Sequence, residues 1–287
     1  RRQRMIQRRL ADTRVLLSDP STSMPMPSFL ILAALFALTA PAIAHAQDFA
    51  TICHASSSYD LTLSPDSMLL DRAAPAPRRI EWRAGRVSVD GTLLHPSAED
   101  SDRLALFEQE LRALVPKAKA VANRGVELAI KAVHAEAASL GADTDTLEAI
   151  DTRLAARGAE LRRRIADSHS THDWQGDALD QYFTQVAADI VPLLAADLTR
   201  QAVAVALSGD LDAAATLRDR AATLGGADLR ARLQQRMQPL RAQIAALCPA
   251  IRQLYDTQRG VRGNHGRPLD LLQIDAAREI EQVLESA

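Results

Sequence analysis

Three patterns of apolar and polar positions follow one another along the chain. Phe29 to Ala44 is a nearly unbroken apolar run holding one helix breaker, Pro41. Between Tyr59 and Leu94 short stretches alternate: Tyr59-Asp60-Leu61-Thr62-Leu63, Ile80-Glu81-Trp82, Val87-Ser88-Val89 and Thr92-Leu93-Leu94. A period of two belongs to half-buried strands. Asp90-Gly91 joins the last two, and both residue types tolerate the positive φ of a two-residue hairpin turn. The pattern predicts three or four short strands, with Pro75-Ala76-Pro77 as a surface loop. A sheet this small needs something to lie on.

From Ser97 the period changes to three and four. Ser97 and Asp100 have capping-box spacing, and Leu104, Phe107, Leu111, Leu114, Ala118 and Val121 form one helical stripe. Pro116 should kink or divide that helix. The stripe resumes to Ala137 and ends at Leu140-Gly141, a glycine C-cap. A second helix is predicted from about Thr144 to Ala166. A third runs from Leu179 to Leu198, interrupted by Pro192. A short fourth lies between Gly209 and Gly225-Gly226. The fifth carries Leu229, Leu233, Met237, Leu240, Ile244, Leu247, Ile251 and Leu254, broken in places by Pro239 and Pro249. Gly260 to Gly266 reads as a link, and Leu269, Leu272, Ala276, Ile280 and Val283 as a last amphipathic helix.

The fold expected is mainly α with a small β part: elongated antiparallel helices capped by a short N-terminal β-sheet or hairpin. Its divisions are a basic leader at 1–25, a signal peptide at 26–46, a small β region at 47–97, a helical bundle at 98–256, and a linker with an amphipathic tail helix at 257–287. Aromatic residues make up only 3% of the chain. Alanine-rich seams let helices approach closely and leave few bulky side chains to line a large pocket.

The apolar run decides the expected compartment. It is followed by Ala44-His45-Ala46, the small-x-small step that fits a signal peptidase. A spanning helix needs about 20 apolar residues; this run is shorter and contains Pro41, so a cleaved signal is expected over a membrane anchor. Translation is expected to start at Met24 or Met26, or at Met5 with Arg8, Arg9 and Arg14 as the positive region. Cleavage after Ala46 places the mature protein in the periplasm. With the six arginines and two aspartates of residues 1–46 removed, 28 basic and 34 acidic residues remain, a formal net charge of −6. A nucleic-acid binder shows a basic face instead. Cys53 and Cys248 are the two cysteines. In an oxidising compartment an even count predicts a disulfide between them, two free thiols being the alternative.

The order of several features resembles a known family. A cysteine near the mature start is followed by Leu63-Ser64-Pro65, by the Val89-Asp90-Gly91 hairpin, by Glu110-Leu111-Arg112-Ala113-Leu114-Val115-Pro116, and by a cysteine late in a helix. This resembles the YggN-type periplasmic proteins of proteobacteria, classed as a domain of unknown function. The likeness spans Ile52 to Tyr255. It implies export and a shared architecture, and it brings no assigned reaction and no catalytic residues.

Candidate chemistry is sparse. His169, His172 and Asp173 have the spacing of a weak metal-ligand set, though surface histidines at a helix connection explain them as well. His54 beside Cys53 would activate a thiol only if that cysteine were free. Neither a Gly-x-Ser-x-Gly elbow nor a glycine-rich phosphate loop is present. Leu269, Leu272, Ile280 and Val283 are the candidate partner-binding face of the tail helix. No cofactor and no catalytic residue is predicted. The reading favours a non-enzymatic scaffold, adaptor or chaperone-like protein whose partner is another envelope protein. The alternative is a metal-dependent or other hydrolase with its site at the junction of sheet and helices. A pocket of converging ionisable groups would mark the enzyme, and an exposed apolar patch the scaffold.

Overall fold

A computed structural model of the chain describes residues 51–174, 177–222, 224, 227–263 and 266–275. The leader and signal segment lie outside the described residues, as do Ile280 and Val283. Within them the protein is mainly α with a small β part.

The strands are β1 (Ala55–Ser56), β2 (Asp60–Ser64), β3 (Ser67–Asp71), β4 (Arg79–Arg83), β5 (Arg86–Val89), β6 (Thr92–Leu93) and β7 (Gln273–Ile274). β2 to β6 form an antiparallel meander in sequence order. The register aligns Met68 with Trp82 and Ile80 with both Leu70 and Val89, so the alternation puts all of them on one face. Two turns between these strands use positive φ: Ala84 (50°) with Gly85 (72°), and Asp90 (49°) with Gly91 (79°). β3 went unrecognised in the sequence. Its Met68-Leu69-Leu70 does not alternate, because Leu69 is apolar on the outer face, and Pro65-Asp66 is a hairpin turn rather than the end of the sheet.

The inner face rests on α1 (Ala98–Ser139), a single helix of 42 residues and so about 63 Å long. Ser97 caps it, its side chain accepting from Asp100 N. Pro116 lies inside without dividing it. Leu111 and Leu114 pack against the sheet core before the proline; Ala118 and Val121 pack beside Cys53 after it. Tertiary burial on both sides outweighs the lost hydrogen bond. Trp82 and Phe107 stack with ring centroids 6.1 Å apart at the centre of this contact.

α2 (Thr144–Asp167) returns antiparallel along α1. The pairing is read from His134 beside Asp151, from Gly158 against Ile130, and from Lys119 Nζ donating to Ala166 O. After a 3-10 turn at Thr171–Trp174, α3 (Asp177–Leu207) runs back antiparallel to α2, with Arg157 paired to Asp189 at 2.8 Å. Pro192 lies inside α3 without breaking it. α4 (Leu211–Ala222) folds against α3. The sequence's fifth helix is divided by its prolines into α5 (Ala227–Arg236), α6 (Pro239–Ala245) and α7 (Cys248–Gln258), with Pro239 and Pro249 each in a first turn, where a missing N–H costs nothing. These follow α1 back to the sheet: Arg236 bonds Glu136, Leu240 meets Gly125, and Thr257 bonds Glu110.

The tail corrects the sequence reading. No helix begins at Leu269; residues 267–275 hold no helical turn, Asp270 has φ 45°, and β7 pairs antiparallel with β1. Leu269 and Leu271, each 2% exposed, complete the core between sheet and α7. Gln258 holds them there, accepting from Leu271 N at 2.9 Å and donating to Leu272 O at 2.7 Å. The burial of both leucines outweighs the helical spacing that Leu269 shares with Leu272 and Ala276.

Candidate functional site

The α2–α3 connection, where the histidines lie, is docked on the sheet. Leu63 N donates to His169 O at 2.8 Å, Leu61 N to Thr171 Oγ1 at 2.9 Å, and Ser170 Oγ to Leu61 O at 3.1 Å. The segment thereby satisfies the otherwise open edge of β2. Asp173 turns inward: its Oδ2 accepts from His169 N at 3.1 Å and Ser170 N at 3.0 Å. The Ser170 amide, with some opposition from burial, holds that carboxyl below its ordinary range. His172 points instead at the sheet, toward Asp60 and Asp71. His169, His172 and Asp173 therefore do not converge, and no group of three or more His, Cys, Asp or Glu among the described residues is arranged to hold a metal ion.

Cys53 and Cys248 are joined as a disulfide, their Cα atoms 5.1 Å apart. The pairing leaves no thiol for His54 to activate. The surface of the described residues includes two shallow recesses. One, of about 210 Å³, is lined by Glu81, Arg83, Arg86, Val87, Ser88 and Leu93 on the outer sheet face. The other, of about 340 Å³, lies between Tyr255, Arg259 and the tail. Neither gathers a nucleophile, a base and an oxyanion donor.

The ionisable clusters that do form hold helices together. Glu136 of α1, 2% exposed, accepts from Arg232 and Arg236 of α5. Burial pushes its carboxyl up, and the two arginines more than offset this, leaving it below the ordinary range. At the α1–α2 turn, Asp197 accepts from Asp143 N at 2.9 Å, and Arg200 bridges Asp143 and Asp197.

The feature that stands out is the end of the α3–α4 hairpin. Gln201 donates to Gly141 O at 2.9 Å, level with the α1–α2 turn. α3 continues to Leu207, roughly 9 Å farther. Gly209, at φ 94°, ends it, and Asp210 caps α4 by accepting from Ala213 N at 2.9 Å. Only Ala202 and Ala214 are buried between residues 202 and 214. Val203, Leu207 and Leu211 are 55%, 85% and 69% exposed. All three belong to the last turns of α3 or the first of α4.

The residues between the two cysteines and just beyond also decide the family. A model described as "Protein of unknown function (DUF2884)" matches residues 53–265. The chain belongs to this family. No curated protein and no solved structure matches it. The DUF2884 match begins at Cys53 and extends ten residues past Tyr255, through the turn after α7 that leads the tail back into the core.

The residues expected to form a contact face in this DUF2884 chain were Leu269, Leu272, Ile280 and Val283. Leu269 is core and Leu272 is partly buried beside it, while Ile280 and Val283 lie outside the described residues. The missed signal was available: apolar residues occur on every side of α3 after Leu198, at Ala202, Val203, Val205 and Leu207, where a helix with one partner needs a single stripe. Thr184–Leu207 is, by length and composition, one helix able to cross a membrane, with mean hydropathy 1.5. Asp189 and Asp197 lie within it, each paired with an arginine, and Ile190, Leu194 and Leu198 belong to the core with α2.

Proposed function

We propose that this DUF2884 protein is a YggN-like periplasmic protein, exported by a signal cleaved after Ala46, that acts without catalysis as an adaptor or chaperone-like protein. It holds another envelope protein through the end of its α3–α4 hairpin. The observation that carries this reading is the exposure of Val203, Leu207 and Leu211 together, beyond the last turn at which α3 has core partners. The disulfide supports the compartment, since such bonds persist in oxidising surroundings. The paired aspartates of α3 support a protein with no stable membrane anchor after cleavage.

The test is a photo-reactive residue in place of Leu207, with Glu81 on the outer sheet face as the control position, activated in intact envelopes. One or two discrete adducts at 207 alone indicate an adaptor. A ladder of unfolded outer-membrane proteins indicates a chaperone. Equal labelling at both positions, or none, removes the hairpin end as the contact.

A further inference from the structure

The turn that ends the α3–α4 hairpin is closed on itself. Gly209 N donates to Ala206 O at 3.1 Å and Asp210 N to Val205 O at 3.3 Å, the two bonds that seal a helix behind a glycine of positive φ. Ala214 N donates to Asp210 O at 3.2 Å, so α4 starts at once. The backbone of the tip is thus satisfied internally, and the exposure of Leu207 and Leu211 belongs to an ordered turn. In turns of this kind an apolar residue at the position of Asp210 commonly packs back on the helix at the position of Val205. Here that position is acidic, and the leucines on either side of it stay in solvent.

The charge around them has one sign. Residues 201–217 hold no lysine or arginine, and their only charged side chains are Asp210 and Asp212, both exposed. The nearest bases are Arg200 and Arg218, each seven residues and so about 10 Å along its helix from Leu207 and Leu211 respectively. Arg200 is already bonded to Asp143 and Asp197. We infer that what this tip takes is a basic amphipathic segment of a partner protein: an apolar stretch bordered by lysine or arginine. Its apolar side chains cover Leu207 and Leu211 while its cations meet Asp210 and Asp212, and that complementarity selects it over neutral or acidic segments. The inference rests on the hairpin end being the contact and states what it contacts. Two other occupants fit less well. An anionic lipid surface draws bases and repels a tip led by two carboxylates. A second copy meeting tip to tip sets the same aspartates against each other, and three apolar side chains fall short of the ~800 Å² that each partner buries in a stable interface.

The experiment measures binding of two dye-labelled peptides to the full chain by fluorescence anisotropy. Each has about 18 residues, roughly five helical turns, with the same leucine positions; the polar positions are all lysine in one and all glutamate in the other. The native protein should prefer the lysine peptide by roughly fivefold, the scale of two exposed ion pairs, and the difference should fade in about 0.5 M salt. Asp210→Asn combined with Asp212→Asn, which keeps the cap of α4 because asparagine caps as well as aspartate, should abolish the preference. Leu207→Ser should weaken the lysine peptide by a similar factor. The chain carries a net negative charge, so Asp66→Asn in the β2–β3 turn serves as the control for diffuse attraction and should change nothing. Equal affinity for the two peptides, a preference that survives the double asparagine variant, or binding indifferent to Leu207→Ser would each overturn the basic partner. So would vesicles of phosphatidylglycerol, or a second copy in sedimentation, bound in a way that Leu207→Ser abolishes. Any of these results beside discrete photo-adducts at 207 removes the basic partner and keeps the hairpin end as a contact; absence of the adducts removes both.

Discussion

Cys53 and Cys248 lie 195 positions apart in the chain and 5.1 Å apart at Cα. The bond ties the start of the β region to the first residue of α7, and buried Ala55, Leu247 and Ile251 pack around it. Closing so long a loop removes much of the freedom of the unfolded chain. The chain-entropy estimate is about 5 kcal/mol, an upper figure because unfolded chains keep some structure. Cys53→Ala is therefore expected to lower the urea midpoint by up to that equivalent. Intact mass after alkylation without reductant should show no added label on the native protein.

Glu136 sets a pH dependence of the stability. Its carboxyl is held below the ordinary range in the folded protein, so the unfolded chain takes up a proton first as pH falls. The stabilisation is present above the unfolded carboxylate range, about pH 4, and is lost as pH drops through the folded value. Glu136→Gln should cost about 2 kcal/mol at neutral pH, the scale of hydrogen bonds to a charged group. The difference between the two proteins should shrink in acid. Unfolding followed at several pH values checks both statements.

Leu269, expected on a contact face, is core, and Leu207 is the apolar residue left in solvent. Leu269 is 2% exposed and Leu207 85%. Leu269→Ala should cost about 2–5 kcal/mol, as for other core leucines. Leu207→Ala should stay within about 0.5 kcal/mol. Thermal melts of the two variants side by side separate a core tail from a surface hairpin.

At Gly158 α2 packs tightly on α1. A Cβ there would meet Ile130 Cδ1 at 2.7 Å and Val126 Cγ1 at 3.5 Å. Alanine would require the end of the isoleucine side chain to move. Leucine has nowhere to go, and Gly158→Leu should cost about 1–3 kcal/mol by overpacking. Urea unfolding measures this, with Gly209→Ala, which meets strain of φ rather than crowding, as the contrast.

How much of this was legible in the residues follows from which forces act locally. The caps at Ser97 and Gly141, the alternation around Trp82 and the Asp90-Gly91 turn depend on neighbours in sequence, and all were readable. Pro116 and Pro192 were legible as breakers, but packing on both sides of each overrides them, and that packing is set by distant segments. β1 and β7 have two residues each and carry no periodicity at all; they exist because the tail is drawn in by Leu269 and Leu271. The exposed end of α3 escaped notice for a related reason. An amphipathic stripe was sought, in the tail, whereas α3 past Leu198 carries apolar residues all round.

The pairing of β1 with β7 has a consequence for the order of events in synthesis. Ala55 and Ser56 leave the ribosome more than two hundred residues ahead of Gln273 and Ile274, their strand partners. Chains fold from the N-terminus as they emerge, yet here the earliest strand must wait for the last described one. Helices α1 to α4 can close on local contacts while the chain is still growing. The sheet end, which needs α7 and the tail beneath it, cannot be finished before the chain is nearly whole. A nascent chain stopped between the end of α4 at Ala222 and Leu269 should hold a formed helical end and an unfinished sheet, open to chaperones and proteases. The last dozen described residues act as the latch on the first.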